Sequence, residues 1–266
     1  MRSRTKSRAA AAVAAAAALL AGPTACGPAA TRTAPPSSPT ASPTPSASPA
    51  RSGQEVLTEA YETTRKAESM RAVATVQQDG KPMKVDLSLD RKGNCRGEIR
   101  MDGMGRLDVI KSPESVHFRG DETYWRAVAK LKHSPQKQTD QIVAMLAKRW
   151  VRVPASDPRA APMTGTCDLS KLTGGFDHPS PLARRGETAT VDGKPTVAVT
   201  SPAKQGTQTD YVATQGKPYV LKSTLMGDSP GEALFSAFDT PVDTAAPKDT
   251  DVLDLSKLGG PAGESI

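Results

Sequence analysis

The amino-acid sequence predicts an α+β domain built on a long, strongly curved antiparallel β-sheet with helices packed on its concave face. The first observation is an apolar–polar alternation that runs from Lys81 almost to Trp125. Successive side chains of a strand face opposite sides of a sheet, so this period of two indicates strands with one apolar and one polar face. A second block of alternating segments and the amphipathic helical segments before and between the blocks complete the prediction.

The first block contains five predicted strands. They are Ala72–Asp79, the alternating runs from Lys81 to Asp90 and from Cys95 to Asp102, Arg106–Lys111 and Ser115–Arg119. The apolar face of these strands requires a cover, and its side chains are also candidate contacts for an apolar ligand. Those candidates are Val85, Leu87, Ile99, Met101, Val109 and Phe118.

Helix signals stand on both sides of this block. Ser52 and Glu55 match the capping box, which predicts a helix from there to about Ser69. Ser134-Pro135 has the residue types of a helix N-terminus, and Asp168–Leu172 predicts a short third helix. The step from Gly120 to Trp125 is interpreted as a turn.

The second block begins after residue 186 and is predicted to form two hairpins and a last strand. Their predicted strands are Glu187–Val191, Thr196–Thr200, Gln208–Thr214, Pro218–Leu225 and Ala233–Phe238. Asp192-Gly193 lies between the first two and is typical of a type I′ turn. Nine or ten strands are therefore predicted in all.

The first 25 residues have the three-part layout of a secretory signal peptide. A basic start is followed by the apolar run Ala9–Leu20, which is short for a membrane span. Thr24 and Ala25 before Cys26 resemble a lipobox, at which bacterial lipoproteins are acylated on the cysteine, although Pro23 departs from that pattern. Ordinary cleavage near Ala25 and an uncleaved anchor are the alternatives. We expect an acylated Cys26 and a protein held on the outer face of the cell membrane.

Composition divides the rest of the chain. Residues 26–51 are rich in Pro, Ser, Thr and Ala, which predicts a disordered tether, with an O-glycosylated stalk as the alternative. Residues 52–258 are predicted to form a single domain, and 259–266 a loose tail.

Charge argues against a nucleic-acid partner. The isoelectric point is about 9.4 and the formal net charge is +7. Six basic and no acidic residues lie within residues 1–51, so the predicted domain carries a net charge of about +1. Such a domain lacks the basic footprint of a DNA- or RNA-binding protein.

The three cysteines are interpreted together with export. If Cys26 is acylated, Cys95 and Cys167 remain as a pair in an oxidising compartment, which predicts a disulfide between them. Two buried thiols are the alternative. Neither has a nearby cysteine or histidine, so we predict no metal site and no cofactor.

The order of these elements resembles the LolA-like superfamily, and within it the LppX/LprG-type lipoproteins of actinobacteria. The local matches are the opening helix, the step Gly120–Trp125, and the passage from Tyr211-Val212-Ala213 to Gly216-Lys217-Pro218-Tyr219. The resemblance covers about Gln54–Leu258. It implies a half-barrel whose apolar concave surface, covered by helices, accommodates lipid acyl chains; it assigns no binding residue.

Three functions are compatible with these observations. The favoured one is a monomeric, membrane-anchored protein that holds or carries a hydrophobic, lipid-like ligand. The alternative is a non-enzymatic interaction module of the cell envelope, with a filled core and no ligand. A hydrolase would have only Ser229, in a predicted turn, as its nucleophile, and His117 is expected on the polar strand face. We therefore predict that the protein is not an enzyme.

Overall fold

The structure is a computed structural model that describes residues 51–257 with the exception of 79 and 205. The predicted signal peptide, Cys26, nearly all of the tether and the C-terminal tail lie outside these residues. Within the described part there are five α-helices: α1 Gly53–Arg65, α2 Glu122–Leu131, α3 Gln136–Leu146, α4 Ala161–Thr166 and α5 Leu169–Thr173.

Twelve strands of the described chain form one curved, open sheet. In chain order they are β1 Ser69–Gln78, β2 Lys81–Asp90, β3 Cys95–Met101, β4 Gly105–Lys111, β5 Ser115–Gly120, β6 Trp150–Pro154, β7 Arg184–Val191, β8 Lys194–Ala203, β9 Gly206–Ala213, β10 Val220–Gly227, β11 Gly231–Ser236 and β12 Val252–Asp254. Across the sheet the order is β12-β6-β5-β4-β3-β2-β1-β11-β10-β9-β8-β7. The predicted α+β class with a curved sheet is confirmed.

Strand β1 joins the two blocks that the sequence predicts. Ala72 lies opposite Leu87 of β2 on one side and opposite Phe235 of β11 on the other. Every strand pair is antiparallel except β12 with β6, where Leu253 lies beside Val151 in a parallel register. The sheet is therefore mixed at this edge, which corrects the purely antiparallel prediction.

Three element predictions need correction. Helix α1 ends at Arg65, because Ser69 already begins β1. The step predicted as a turn after Gly120 is the start of α2, with the Asp121 side chain accepting a hydrogen bond from the Tyr124 backbone nitrogen at 2.8 Å. Aspartate stabilises turns and helix N-termini through the same kind of bond, so the residue type alone did not separate them. The described sheet has twelve strands because β6 and β12, which the sequence did not predict, extend one of its edges.

Helix α1 covers the half of the sheet formed by β7 to β10. The predicted capping box is present: the Glu55 backbone nitrogen donates to Ser52 Oγ at 3.2 Å, and the Ser52 backbone nitrogen donates to Glu55 Oε2 at 2.7 Å. On the buried side, the Tyr61 hydroxyl donates to Asp210 of β9 at 2.8 Å, and Thr64 Oγ1 accepts from the Val220 backbone nitrogen. Burial raises the pKa of Asp210.

The predicted disulfide between Cys95 and Cys167 is present in the structure, with the two Cα atoms 5.5 Å apart. Both residues are buried in the core. The bond holds the segment that contains α4 against the start of β3. That segment closes one side of the cavity described next.

Candidate functional site

An apolar cavity of about 510 Å³ lies between α2 and strands β2 to β5. The sheet contributes Met83, Ile99, Met101, Leu107 and Phe118; the helix contributes Tyr124, Trp125 and Val128; Met104, Gly105, Pro158, Thr166 and Leu255 complete the lining. Among the described residues that line it, Lys132 is the one charged residue, and it stands just beyond the C-terminal end of α2. The volume falls within the roughly 300–1,000 Å³ of typical ligand sites.

Two glycines allow α2 to lie close to the sheet. A Cβ added at Gly105 would stand 2.3 Å from Asp121 Oδ1 and 2.6 Å from the Tyr124 backbone nitrogen. A Cβ at Gly120 would stand 2.1 Å from Tyr124 Cδ1. Asp121 also accepts a hydrogen bond from the Arg106 backbone nitrogen at 3.1 Å. The first turn of α2 is therefore fixed on β4 and β5.

The aromatic residues of α2 form one wall of the cavity. Trp125 is buried, and its ring centroid lies 5.2 Å from that of Tyr124 and 6.1 Å from that of Phe118. Among the described residues, its Nε1 is the buried side-chain nitrogen for which no hydrogen-bond partner is present.

The structure divides the six predicted ligand contacts into two sets. Ile99, Met101 and Phe118 line the cavity. Leu87 and Val109, only 3% and 1% exposed, belong to the packed core, and Val85 packs against that core. All six residues belong to the apolar face of the sheet. Three of them are covered by other parts of the protein and do not contact the cavity.

The site also contains residues that are not among the six predicted ligand contacts. Besides Met83 and Leu107, these are the α2 residues Tyr124, Trp125 and Val128, which follow the i, i+1, i+4 spacing of a helical face. That spacing was the available signal for a helix here. The helix was not predicted from it, because the preceding Asp121 was assigned to a turn.

The cavity lies under α2 and not under α1. Beneath α1 the space is filled by aromatic rings: the centroid of Phe176 lies 5.1 Å from that of Tyr61 and 5.5 Å from that of Phe235, both in edge-to-face contact. One half of the concave face is therefore solid core, and the other half holds the cavity.

Other chemistry is sparse in the described part of the chain. Within it, no group of His, Cys, Asp and Glu side chains is arranged to hold a metal ion. None of its helices is both long and apolar enough to cross a membrane. Ser229 lies in the turn between β10 and β11.

His117 has the expected position on the outer face but not the expected exposure. It lies opposite Arg152 of β6, and only 7% of its surface is exposed, which corrects the prediction of a surface residue. Burial lowers the pKa of His117, and the positive charge of Arg152 lowers it further. The neutral imidazole is therefore favoured.

Together these features define the molecule as an open, curved α+β half-barrel with an apolar cavity under one of its helices. Its fold is similar to that of LprF from Mycobacterium bovis, with 14% sequence identity over 73% of this chain and 96% of that one and a TM-score of 0.47. It is also similar to the lipoprotein LppX from Mycobacterium tuberculosis, with 12% identity over 73% and 98% of the two chains and a TM-score of 0.45. No family model and no curated protein matches the sequence.

Proposed function

We propose that this protein is an extracytoplasmic lipoprotein that binds a hydrophobic, lipid-like ligand in the cavity beneath α2. The observation that carries the proposal is the cavity itself, with about 510 Å³ of space and an almost entirely apolar lining. Apolar surface that faces a cavity remains incompletely packed until a ligand fills the space. A ligand with an acyl chain supplies the missing contacts.

The energy available from such a ligand is substantial. Each methylene group removed from water contributes about 0.8 kcal/mol, so ten of them contribute about 8 kcal/mol before the costs of association. Met83, Met101 and Met104 stand on the lining, and methionine side chains adapt to ligands of irregular shape. This lining favours a class of acyl chains over a single rigid compound.

The proposal places the domain outside the cell. Residues 1–25 act as the signal peptide, an acylated Cys26 anchors the chain in the membrane, and residues 26–51 hold the domain at a distance from it. In this proposal the protein acts as a monomer that binds and carries its ligand and performs no enzymatic reaction. Localisation and ligand binding are separate claims, and each has its own experiment.

Ligand binding is tested with cis-parinaric acid, whose fluorescence rises when its chain enters an apolar site. We expect uptake by the wild-type protein and at least a tenfold weaker affinity for Met101→Trp, in which the larger side chain occupies the cavity. Met226→Trp is the matched control, because Met226 is 68% exposed and lies outside the cavity lining.

Native mass spectrometry of protein extracted without detergent exchange gives an independent measurement, with palmitic acid as the added ligand. Absence of any bound lipid and of probe uptake in the wild type would contradict the proposal. That result would favour the alternative, an interaction module with a filled core. The packing beneath α1 is already of this filled kind.

The anchor is tested by labelling growing cells with an alkyne analogue of palmitate. We expect label on the wild-type protein and none on Cys26→Ala, which should appear in the culture medium or remain unprocessed. Equal labelling of both proteins would exclude Cys26 as the acylated residue, while leaving the ligand proposal intact.

A further inference from the structure

A second depression lies on the opposite side of α2 from the cavity. It has a volume of about 730 Å³ and shares Met104 with the cavity lining. Residues 124, 125, 128 and 132 line the cavity, whereas 123, 126, 127, 130 and 131 line this groove. Helix α2 therefore separates an apolar interior from a groove that is open to solvent.

The groove and the end of α2 carry excess positive charge. Basic side chains of the groove are Lys81, Arg126, Lys130 and His133, and among the described residues that line the groove or the cavity none is acidic. Arg126 is neutralised, because it donates to Glu122 Oε1 at 2.8 Å and to Asp140 Oδ1 at 3.0 Å.

Three exposed lysines lie in or beside the groove. Lys81, Lys130 and Lys132 form no ion pair with any residue of the described chain. Leu131 stands between two of them and is 69% exposed, the highest exposure among the large apolar side chains described. We call Lys81, Lys130, Leu131 and Lys132 the basic rim.

We propose that the basic rim docks the protein on a membrane surface that contains anionic phospholipid. The lysines would lie at the level of the lipid phosphates, and Leu131 would enter the boundary between head groups and acyl chains. Charge complementarity selects this partner, because lysines without ion pairs are attracted to an anionic lipid surface and an exposed leucine is buried at its interface. Docking brings the end of α2, and with it the edge of the cavity, against the lipid layer.

The strength of this contact follows from the charge count. One lysine near an anionic surface strengthens binding about fivefold, so three lysines contribute roughly 100-fold at low ionic strength. Salt screens such interactions, and the affinity should fall steeply between low and high ionic strength. The purpose of docking, the transfer of a lipid ligand, rests on the proposed function, whereas docking itself does not.

The experiment measures co-sedimentation with vesicles of phosphatidylcholine, alone or with roughly one-third phosphatidylglycerol. Every protein carries Cys26→Ser in the exported full chain, so that an acyl anchor does not mask the contact and the N-terminal segment contributes equally throughout. Lys81→Gln/Lys130→Gln removes two rim charges. Lys194→Gln/Lys204→Gln removes two exposed charges near the other edge of the sheet and is the matched control.

We expect selective binding to the anionic vesicles, about a 30-fold loss for the rim double variant, and no change for the control. Leu131→Ser should weaken binding at both low and high salt, because it removes an apolar contact. Equal binding to both vesicle types, or equal losses for the two double variants, would overturn the proposal. Uptake of cis-parinaric acid without vesicles should persist in the rim variant, so failure of docking and failure of ligand binding give different results.

Discussion

Replacing Gly105 by alanine tests whether α2 is held on the sheet by direct backbone contact. Gly105 has a φ of +79°, and Gly103 in the same turn has a φ of +74°. An alanine at either position costs roughly 1–2 kcal/mol for this conformation. Only at Gly105 does the new Cβ also meet backbone, 2.6 Å from the Tyr124 nitrogen; at Gly103 the nearest described atom is Lys81 Nζ at 3.4 Å.

The difference in unfolding free energy between the two variants measures the contribution of the contact between α2 and the sheet. Overpacking adds roughly 1–3 kcal/mol, so Gly105→Ala should lose about 2–5 kcal/mol of unfolding free energy and Gly103→Ala about 1–2 kcal/mol. With a denaturant slope of about 2 kcal/mol/M, the urea midpoint should fall by about 1–2.5 M and 0.5–1 M respectively.

Tryptophan fluorescence is a suitable signal for these unfolding curves, because Trp125 lies on α2 and is buried. Gly105→Ala should also weaken the uptake of cis-parinaric acid, since a displaced α2 changes the wall of the cavity. Equal midpoints for the two variants would refute the reasoning, because they would show that contact with the helix adds nothing to the conformational cost.

Two other predictions concern the framework of the domain. Cys95→Ala/Cys167→Ala opens a loop with a sequence separation of 72 and should lower the unfolding free energy by about 4 kcal/mol. Urea unfolding curves of the variant and of the reduced wild type should coincide. A urea midpoint equal to that of the oxidised wild type would contradict this prediction. Burial raises the pKa of Asp210, so above the ordinary aspartate pKa the folded protein holds a proton that the unfolded chain releases. The stability of the wild type should therefore fall relative to that of Asp210→Asn as the pH rises from about 4 to 8, and parallel pH profiles would exclude this titration.

Features that depend on neighbouring residues were predictable from the sequence. The alternation in β2 and β3 requires only that successive side chains face opposite sides. The capping box at Ser52 and the hairpin turn at Asp192, with its positive φ of 47°, involve residues a few positions apart. Cysteine parity and export predicted the pair Cys95–Cys167 without any knowledge of geometry.

Features that depend on distant contacts were not predictable in this way. Leu87 and Met101 belong to the same alternating pattern, yet one is packed core and the other lines the cavity. Their different roles follow from the positions of the helices along the sheet. The strand β12 is three residues long and is defined by its pairing with β6, about 100 residues earlier.

The sequence by itself determined that this chain forms a one-sided apolar sheet, because the period of side chains in a strand is a local property. Only the tertiary structure decided where that face is filled and where it remains open. Aromatic side chains fill the space beneath α1, whereas close contact at Gly105 and Gly120 fixes the start of α2 on the sheet beside the cavity. Packing between residues far apart in the chain determines the volume of a cavity, and no short segment contains that information.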